Sequence, residues 1–260
     1  MMKLGCSSWS YHRAFERGDM TQISWIRKCK ELGLDGVELL AQGSYFPSID
    51  RSYLRRLKLL CVNEGLTISC VAARNDFGGP KDELAKEVER VKRWVEVACY
   101  LGAPVVRVFG TEHYPPVDRE RVWEGMIAGF KEVTEYAEEN GVMIGLENHG
   151  RGLTSSADDV LRAVEEVGSD WFRLTLDFGN FPADTYGSIE RTAHLAVHVH
   201  AKILDVRDGV ERRLDYSRIM PVLRRVNYNG YLSLEYEGDE REETAVPKAV
   251  RYLRSLILAR

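Results

Sequence analysis

Four side chains that can bind a metal ion stand at or near the ends of successive apolar segments in the second half of the chain. They are Glu147, Asp177, His200 and Glu235. Intervals of 23 to 35 residues separate them, and each interval has room for one helix and its loops between two parallel strands. Three carboxylates and an imidazole that converge repel one another unless a cation offsets their charge. The pattern therefore predicts a divalent metal site.

The types of ligand narrow the choice of ion. Three oxygen donors and one nitrogen donor suit a hard cation such as Mn²⁺, Mg²⁺ or Co²⁺ better than they suit a thiolate-type zinc site. Zn²⁺ also accepts histidine and carboxylate ligands. We therefore expect one divalent metal ion and leave its identity open among these four.

The segments that carry these residues alternate as β-strands do. In VVRVF, Val106 and Val108 share one face and Arg107 lies on the other. The same alternation occurs in MIGLE at 143–147, RLTLD at 173–177, HVHAK at 198–202 and YLSLE at 231–235. Because neighbouring side chains of a strand point to opposite faces, the aliphatic face suits a layer of helices. The polar face is then expected to line the interior, where such groups must pair or hold an ion.

Strand and helix candidates alternate along the whole chain without a linker, as in repeated βα units. The predicted strands are residues 3–9, 36–40, 66–73, 104–109, 142–147, 172–177, 197–202 and 231–235. The predicted helices lie near residues 21–32, 50–64, 81–101, 118–140, 156–167, 187–193, 215–226 and 241–258. This pattern predicts an α/β fold, a (β/α)₈ TIM barrel that forms a single domain over residues 1–260. The alternative is a doubly wound open sheet, but GCSSWSYH lacks the glycine-rich turn that usually follows its first strand.

Composition excludes several classes of protein. The chain is 44% apolar and 29% charged, which is typical of a globular protein and not of collagen or a disordered chain. Its apolar runs are shorter than the roughly 20 residues of a membrane-spanning helix. A net charge of −4 disfavours nucleic acid as a partner, because phosphate backbones attract basic proteins. We expect no membrane association, and a homo-oligomer remains open.

The cysteines and the N-terminus indicate the compartment. Five cysteines without a C-x-x-C pair predict reduced, mostly buried thiols in a cytoplasmic protein. The segment MMKLGCSSWS has one lysine and no long apolar run, so we interpret it as the first strand and not as a secretory signal.

Further residues near the predicted strand ends are candidate substrate contacts. They are Trp9, Glu38, Phe77, Arg107, His149 and Lys202. Trp9, Phe77 and Phe109 would line a pocket against the C–H face of a sugar, with burial in the core as the alternative. Lys202 would hydrogen-bond a developing oxyanion unless its amine reaches solvent.

Several of these residues have a second interpretation. Glu38 would instead pair with Arg107 inside the barrel, and His149 would be a solvated loop residue. Arg107, Arg173 and Lys202 together would turn the acidic cluster into a buried ion-pair network that binds no metal. His198 is expected to be a hydrogen-bonded core histidine. The other histidines are expected in loops or at the surface: His12, His113 and His194.

In these motifs the chain resembles the xylose isomerase-like (β/α)₈ superfamily, which includes sugar-phosphate isomerases and epimerases, the tagatose and psicose 3-epimerase group, inosose dehydratases and endonuclease IV. The resemblance covers almost the whole length. It rests on DGVELL at 35–40, ARNDFG at 73–78, GLENHG at 145–150, LDFGN at 176–180, HVHAK at 198–202 and GYLSLEYEG at 230–238.

The resemblance implies a small carbohydrate as substrate and one ion bound by Glu147, Asp177, His200 and Glu235. It also implies that Glu147 and Glu235 act as the proton-transfer pair. Such a site would abstract a proton next to a carbonyl and stabilise the resulting enediolate. The resemblance therefore implies the activity of a sugar or sugar-phosphate epimerase or of an aldose–ketose isomerase.

Other functions remain open at this stage. An inosose-type dehydratase would use the same proton abstraction and then expel a β-hydroxyl group. A phosphodiesterase similar to endonuclease IV would need three zinc ions and more strand-end histidines. A barrel that binds carbohydrate without turnover is a further alternative, because fold alone does not determine function.

The chain departs from the 3-epimerase group at two positions. That group carries a histidine for substrate recognition three residues after the metal-binding aspartate, where this chain has Asn180. It also carries an arginine several residues after the strand-seven histidine, and Arg207 matches only in a looser register. Asn180 is accordingly a candidate substrate contact of this chain.

Overall fold

The computed structural model describes residues 1–112 and 118–259, in which eight parallel strands form a closed barrel. The barrel strands are β1 (Lys3–Ser7), β2 (Gly36–Ala41), β3 (Thr67–Ala73), β4 (Val105–Val108), β5 (Met143–Glu147), β6 (Phe172–Asp177), β7 (Ala196–Ile203) and β10 (Tyr231–Tyr236). Each pairs with its neighbours along the chain, and β1 closes the barrel against β10. The predicted α/β barrel is confirmed, and the open doubly wound sheet is wrong.

The helices follow the strands and cover the outside of the barrel. Within the described ranges they are α1 (His12–Glu16), α2 (Gln22–Glu31), α3 (Arg51–Glu64), α4 (Lys81–Leu101), α5 (Arg119–Glu139), α6 (Ala157–Val167), α7 (Thr185–Thr192), α8 (Tyr216–Arg225) and α9 (Glu242–Leu258). Local signals define their ends. Ser156 caps α6 by accepting a hydrogen bond from the Asp159 backbone N–H at 3.1 Å. Gly102 ends α4 with a φ of 85°, a conformation that favours glycine.

Strand β1 ends at Ser7 and not at residue 9, because Ser8–Tyr11 form a 3-10 turn. Two serines of this turn bind the neighbouring strands. The Ser8 hydroxyl accepts a hydrogen bond from the Leu40 N–H at 3.0 Å, and the Ser10 hydroxyl donates to the Leu234 carbonyl at 2.8 Å. These bonds compete with continuation of the strand and hold Trp9 at the C-terminal end of the barrel.

A short hairpin that the strand analysis missed follows β7. It consists of β8 (Val206–Arg207) and β9 (Val210–Glu211). Asp208 and Gly209 form its two-residue turn with φ values of 51° and 75°, as a type I′ turn requires. The Asp-Gly pair was the available sequence signal for this hairpin.

The N-terminal end of the barrel is filled by the ring of Tyr231. A Cβ atom added to Gly36 would lie 2.6 Å from Tyr231 Cε1 and 2.8 Å from the Thr67 carbonyl oxygen. One added to Gly5 would lie 3.3 Å from Tyr231 Cδ1. Small residues on two neighbouring strands therefore make space for this aromatic ring.

All five cysteines are free, and four of them are buried while Cys99 is exposed, in agreement with the prediction of reduced and mostly buried thiols. In the described part of the chain, no helix has the length and apolar character needed to span a membrane.

We predict that Gly36→Ala lowers the free energy of unfolding by about 1–3 kcal/mol, because the added methyl group overpacks the space between Tyr231 and the β3 backbone. Gly125→Ala in α5 is the matched control. Its Cβ would meet only Leu84 Cδ2 at 3.6 Å, so the better helix propensity of alanine should leave stability equal or higher. Urea unfolding midpoints measure both, and an unchanged midpoint for Gly36→Ala would contradict this account of the barrel floor.

Candidate active site

The barrel brings the four predicted metal ligands to one place. The strand registers pair Asp177 with His200 and His200 with Ser233, so the ends of β6, β7 and β10 lie side by side. His200 Nδ1 lies 3.5 Å from Glu147 Oε2, 3.7 Å from Asp177 Oδ2 and 3.8 Å from Glu235 Oε2. All four side chains are buried. Their convergence follows from the period-2 alternation that puts each of them on the inner face.

Three of the converging atoms have no hydrogen bond among the described residues. They are Glu147 Oε2, Asp177 Oδ2 and His200 Nδ1, and one donor atom from each of these residues lies within 4.8 Å of the others. Buried polar atoms in proteins normally have hydrogen-bond partners. Two carboxylate oxygens and an imidazole nitrogen that share this deficit fit the donor set of a divalent cation.

Two cationic side chains lie beside this cluster. Arg107 Nε is 3.0 Å from Glu147 Oε2. Lys202 Nζ is 2.6 Å from Glu235 Oε2 and 3.1 Å from Asp177 Oδ2. Lys202 is buried, so the expectation that its amine reaches solvent is wrong. The ion-pair network expected as an alternative to a metal is thus present in part, because Glu147 Oε2 and Asp177 Oδ2 each lie within 3.1 Å of a cationic nitrogen although neither atom accepts a hydrogen bond.

Arg173 does not belong to this network. It is the second residue of β6, at the N-terminal end of the strand, where it binds Asp170 and the backbone carbonyls of Ser169 and Phe172. The expected contribution of Arg173 is therefore wrong. Its side chain shares a face with Asp177, but four positions of strand separate the two residues along the barrel axis.

Glu38 lies beneath the cluster and binds two histidines. Its carboxylate is 2.8 Å from His198 Nε2 and 2.9 Å from His200 Nε2, and it accepts a hydrogen bond from Ser233 Oγ at 2.6 Å. The expected pairing of Glu38 with Arg107 is wrong, whereas the expectation of a hydrogen-bonded core histidine at His198 is confirmed. Because an ionised carboxylate only accepts hydrogen bonds, His200 donates from Nε2 to Glu38 and turns Nδ1 towards the cluster.

The two glutamates predicted to transfer protons differ in acidity. Burial favours the neutral form of Glu147, but the Arg107 guanidinium and His200 outweigh it and lower the pKa of Glu147. Burial raises the pKa of Glu235 to about 8, against the opposing effect of Lys202. Glu235 is therefore a much weaker acid than Glu147 in this arrangement.

The two buried bases are held in their charged forms. Burial opposes charge on His200, but Glu38, Glu235 and Glu147 raise its pKa above the ordinary value. Asp177 and Glu235 likewise raise the pKa of Lys202. A proton and a metal ion are therefore alternatives at His200 Nδ1, since a ligating imidazole must give up the proton there.

A cavity of about 470 Å³ opens above the cluster at the C-terminal end of the barrel, which is the end where enzymes of this architecture bind substrates. Glu147 and Glu235 line it, as do Arg107 and Lys202. Other predicted contacts that line the cavity are Trp9, His149 and Asn180. Asn180 Nδ2 donates a hydrogen bond to Glu147 Oε1 at 3.1 Å, and Trp9 Nε1 donates to Glu237 Oε1 at 2.8 Å.

Phe77 lies in the core and not in the cavity wall. Its side chain is 1% exposed, and its ring centroid is 5.3 Å from that of Phe130. The predicted substrate contact of Phe77 is therefore wrong, because its ring points into the helix layer. Phe109, the other phenylalanine expected in the pocket wall, does line the cavity, between the Arg107 guanidinium at 4.0 Å and the ring of His149 at 4.7 Å.

The remaining predicted residues lie elsewhere. Arg207 is an exposed residue of the hairpin and pairs with Asp205, so it is not at the cavity. His194 is exposed, as expected. His12 is partly buried, and its ring stacks on that of Trp9 with a centroid distance of 4.8 Å. Its position therefore differs from the exposed one that was expected. His113 lies outside the described residues.

Several residues that line the cavity were not predicted from the sequence. They are Leu40, Gln42, Arg74, Glu112, Arg151 and Glu237. Glu237 follows Glu235 by two positions, so strand alternation was an available signal for it. Arg74 directly follows the last residue of β3 and had the same kind of signal. Arg151 and Glu112 lie in loops whose course the sequence pattern does not reveal.

Comparisons with known proteins agree with this geometry. A sequence model of the family described as xylose isomerase-like TIM barrel matches residues 26–256. The chain therefore belongs to the xylose isomerase-like TIM barrel family.

Individual relatives are distant. The chain is 24% identical to the D-psicose 3-epimerase of Ruminiclostridium cellulolyticum, over 81% of this chain and 76% of the relative. It is 23% identical to an inosose dehydratase of Mesomycoplasma hyopneumoniae, over 92% of this chain and 90% of the relative. The crystal structure of a xylose isomerase-like TIM barrel protein from Mycobacterium smegmatis in complex with magnesium matches with a TM-score of 0.74, at 17% identity, over 99% of this chain and 98% of that one.

We predict that Glu38→Gln destabilises the fold by about 3–5 kcal/mol, because it removes the buried negative charge that both histidines contact. Glu190→Gln is the matched control. Glu190 pairs with Arg225 at 2.6 Å, but both side chains are more than half exposed, so its loss should cost less than about 1 kcal/mol. Equal unfolding midpoints for the two variants would contradict the role assigned to Glu38.

Proposed function

We propose that this protein is a metal-dependent epimerase or isomerase that moves a proton at a carbon next to the carbonyl of a sugar. One observation carries the proposal, namely that Glu147, Asp177, His200 and Glu235 converge at the cavity while three of their donor atoms lack hydrogen-bond partners among the described residues. The cavity volume of about 470 Å³ is in the range of small-molecule sites. The D-psicose 3-epimerase among the relatives supports the reaction class.

The same four side chains would hold one divalent cation. When bound, the cation would polarise the substrate carbonyl and offset the negative charge of the enediolate. The oxygen-rich donor set favours Mn²⁺, Mg²⁺ or Co²⁺, with Zn²⁺ also compatible. The magnesium complex of the Mycobacterium smegmatis protein supports a hard cation in this family.

Glu147 and Glu235 would be the catalytic pair. The pKa shifts of the two groups differ in direction when no cation is bound. As ligands of the cation both carboxylates would be ionised, and one would accept the substrate proton while the other carboxyl group returns one. In an epimerase the two groups act on opposite faces of one carbon. In an aldose–ketose isomerase the proton returns to the neighbouring carbon.

Other residues of the cavity would orient the substrate. Lys202 reaches three carboxylates from its buried position, with Glu237 Oε1 at 3.1 Å from Nζ as the third, and it would donate a hydrogen bond to a developing oxyanion. Asn180 and Arg107 both contact Glu147 and would hold its carboxylate in position. Trp9 and His149 would pack against the sugar from the cavity wall.

The experiments described below also distinguish two other reactions. The inosose dehydratase among the relatives keeps β-elimination of water as a second candidate, and it begins with the same proton abstraction. Phosphodiester cleavage is disfavoured. In residues 1–112 and 118–259 the two groups of potential ligands share His200, so they do not offer three separate sites for the zinc ions of an endonuclease IV-like enzyme.

We predict that Glu147→Gln and Glu235→Gln each slow the exchange of substrate hydrogen with deuterated water by about 10²–10⁴-fold, the usual contribution of a positioned acid or base. A panel of ketoses, ketose phosphates and inososes, incubated with the metal-loaded protein and followed by mass spectrometry, measures the exchange. Glu139→Gln, an exposed change at the end of α5, is the control and should exchange normally.

Persistence of exchange in both cluster variants would remove these residues from the mechanism. Loss of water from the product would identify a dehydratase instead of an epimerase or isomerase.

We predict that the purified protein binds about one divalent cation per chain, and that a cation present at 100 times its dissociation constant stabilises the fold by about 2.7 kcal/mol. Because His200 must lose a proton to bind the cation, affinity should fall as the pH is lowered. Elemental analysis and calorimetric titration at several pH values measure this.

Asp177→Asn should abolish the stabilisation by the cation, since it removes one of the charged ligands. Asp208→Asn in the exposed hairpin turn should leave it intact. About three zinc ions per chain would instead favour the phosphodiesterase.

A further inference from the structure

Lys202 contacts three carboxylates from one position. Its Nζ atom lies 2.6 Å from Glu235 Oε2, 3.1 Å from Asp177 Oδ2 and 3.1 Å from Glu237 Oε1. The first two oxygens also lie within 3.8 Å of His200 Nδ1 and belong to proposed ligands of the cation. Glu237 is not one of the four proposed ligands. Lys202 is therefore shared between two members of the cluster and one carboxylate outside it.

The stem of Lys202 is confined by the backbone beside it. A Cβ atom added to Gly179 would lie 2.7 Å from Lys202 Cγ and 3.4 Å from Cε, so the stem runs along a position that only glycine leaves open. The Tyr216 hydroxyl donates a hydrogen bond to the Lys202 carbonyl oxygen at 2.8 Å. Only 4% of the Lys202 side chain is exposed. Its ammonium can therefore exchange partners only among the carboxylates next to it.

Glu237 is held in place independently of Lys202. Its backbone N–H donates a hydrogen bond to the Ile203 carbonyl oxygen at 3.0 Å, which continues the ladder between β10 and β7. Trp9 Nε1 donates to Glu237 Oε1 at 2.8 Å, and the Trp9 ring stacks on that of His12. The Glu237 side chain is 37% exposed, so its charge costs less there than the charge of a buried carboxylate. Glu237 can keep its position and charge when the other contacts of Lys202 change.

Lys202 and a divalent cation compete for the same oxygen atoms. Two cations that contact the same carboxylate oxygens repel each other, and the repulsion is less screened in a buried site. An ammonium that loses Asp177 and Glu235 to the cation still needs a partner, because an unpaired buried charge is costly. Among the described residues, Glu237 is the one carboxylate that contacts Lys202 and is not a proposed ligand.

We propose that Glu237 is a positioning residue, which holds the Lys202 ammonium off Asp177 and Glu235 when these two residues bind the divalent cation. The inference rests on the proposed function and adds to it a carboxylate that is not itself a ligand. Lys202 and Glu237 both line the cavity. The ammonium that Glu237 retains is therefore free to donate a hydrogen bond to a substrate oxygen.

A double-mutant cycle tests whether Glu237 acts through Lys202. Calorimetric titration with Mn²⁺ measures the affinity of the wild-type protein, of Glu237→Gln, of Lys202→Met and of the double variant. Glu237→Gln should lower the affinity by about 10- to 100-fold, the usual effect of removing a residue that supports metal ligands. Lys202→Met should raise it by about 10-fold or more, because a like charge beside the cation is removed. In the Lys202→Met background, Glu237→Gln should change the affinity by less than about 2-fold.

Two exposed substitutions are the matched controls, Glu165→Gln in α6 and Lys131→Met in α5, and both should bind Mn²⁺ as the wild-type protein does. If Glu237→Gln lowers the affinity equally in both backgrounds, Glu237 acts by its charge alone, and the inference is overturned while the proposed function stands. Weaker binding by Lys202→Met would also overturn it. If the wild-type protein binds none of Mn²⁺, Mg²⁺, Co²⁺ and Zn²⁺, the proposed function fails together with the inference.

A second measurement does not require that Lys202→Met folds. In a crystal structure of the wild-type protein with bound Mn²⁺, Lys202 Nζ should remain within hydrogen-bond distance of Glu237 Oε1. Its distances to Asp177 Oδ2 and Glu235 Oε2 should exceed about 4 Å, the limit of an ion pair. Unchanged contacts of 3.1 and 2.6 Å with these two oxygens would overturn the inference.

Discussion

The main constraint on this structure is the mutual repulsion of three carboxylates that the barrel brings together. The rest of the site must offset that repulsion. Parallel strands that end at the same rim bring Glu147, Asp177 and Glu235 within reach of one imidazole. In water such charges would stay apart, but here they are buried, where their repulsion is less screened. The protein offsets this cost from the sides with Arg107 and Lys202. Glu147 Oε2, Asp177 Oδ2 and His200 Nδ1 nevertheless lack hydrogen bonds among the described residues, and together they form a donor set that fits a divalent cation.

The barrel and the cluster were predictable from sequence because both follow from short-range regularities. Period-2 alternation assigns each strand an inner face, and the predicted helices agree with the observed ones because their ends carry local signals such as Ser156 and Gly102. Once the strands are ordered as a parallel barrel, residues at strand ends must converge. No long-range contact had to be known to bring Asp177 and His200 together.

The wrong predictions concern contacts between elements that are distant in sequence. Strand position alone made Arg107 a reasonable partner for Glu38, but the barrel sets Glu38 opposite His198 and His200. Phe77 follows a strand end, yet its ring packs against Phe130 of α5. In these cases the side chain points to the cavity or to the core according to which neighbouring side chains pack beside it. The order of residue types along the chain does not reveal those neighbours.

The interior and the mouth of the barrel have different roles, because strands position the buried cluster and loops form the mouth. Below the cavity, the Glu38 carboxylate binds the Nε2 atoms of two histidines and turns His200 Nδ1 upward, so the position of the ligands is set by strands that cannot shift without breaking the barrel. Above it, loop residues such as Arg151 line the mouth, and loops tolerate change without loss of the core. A barrel of this kind can therefore keep its buried cluster of ligands while the residues at the rim change.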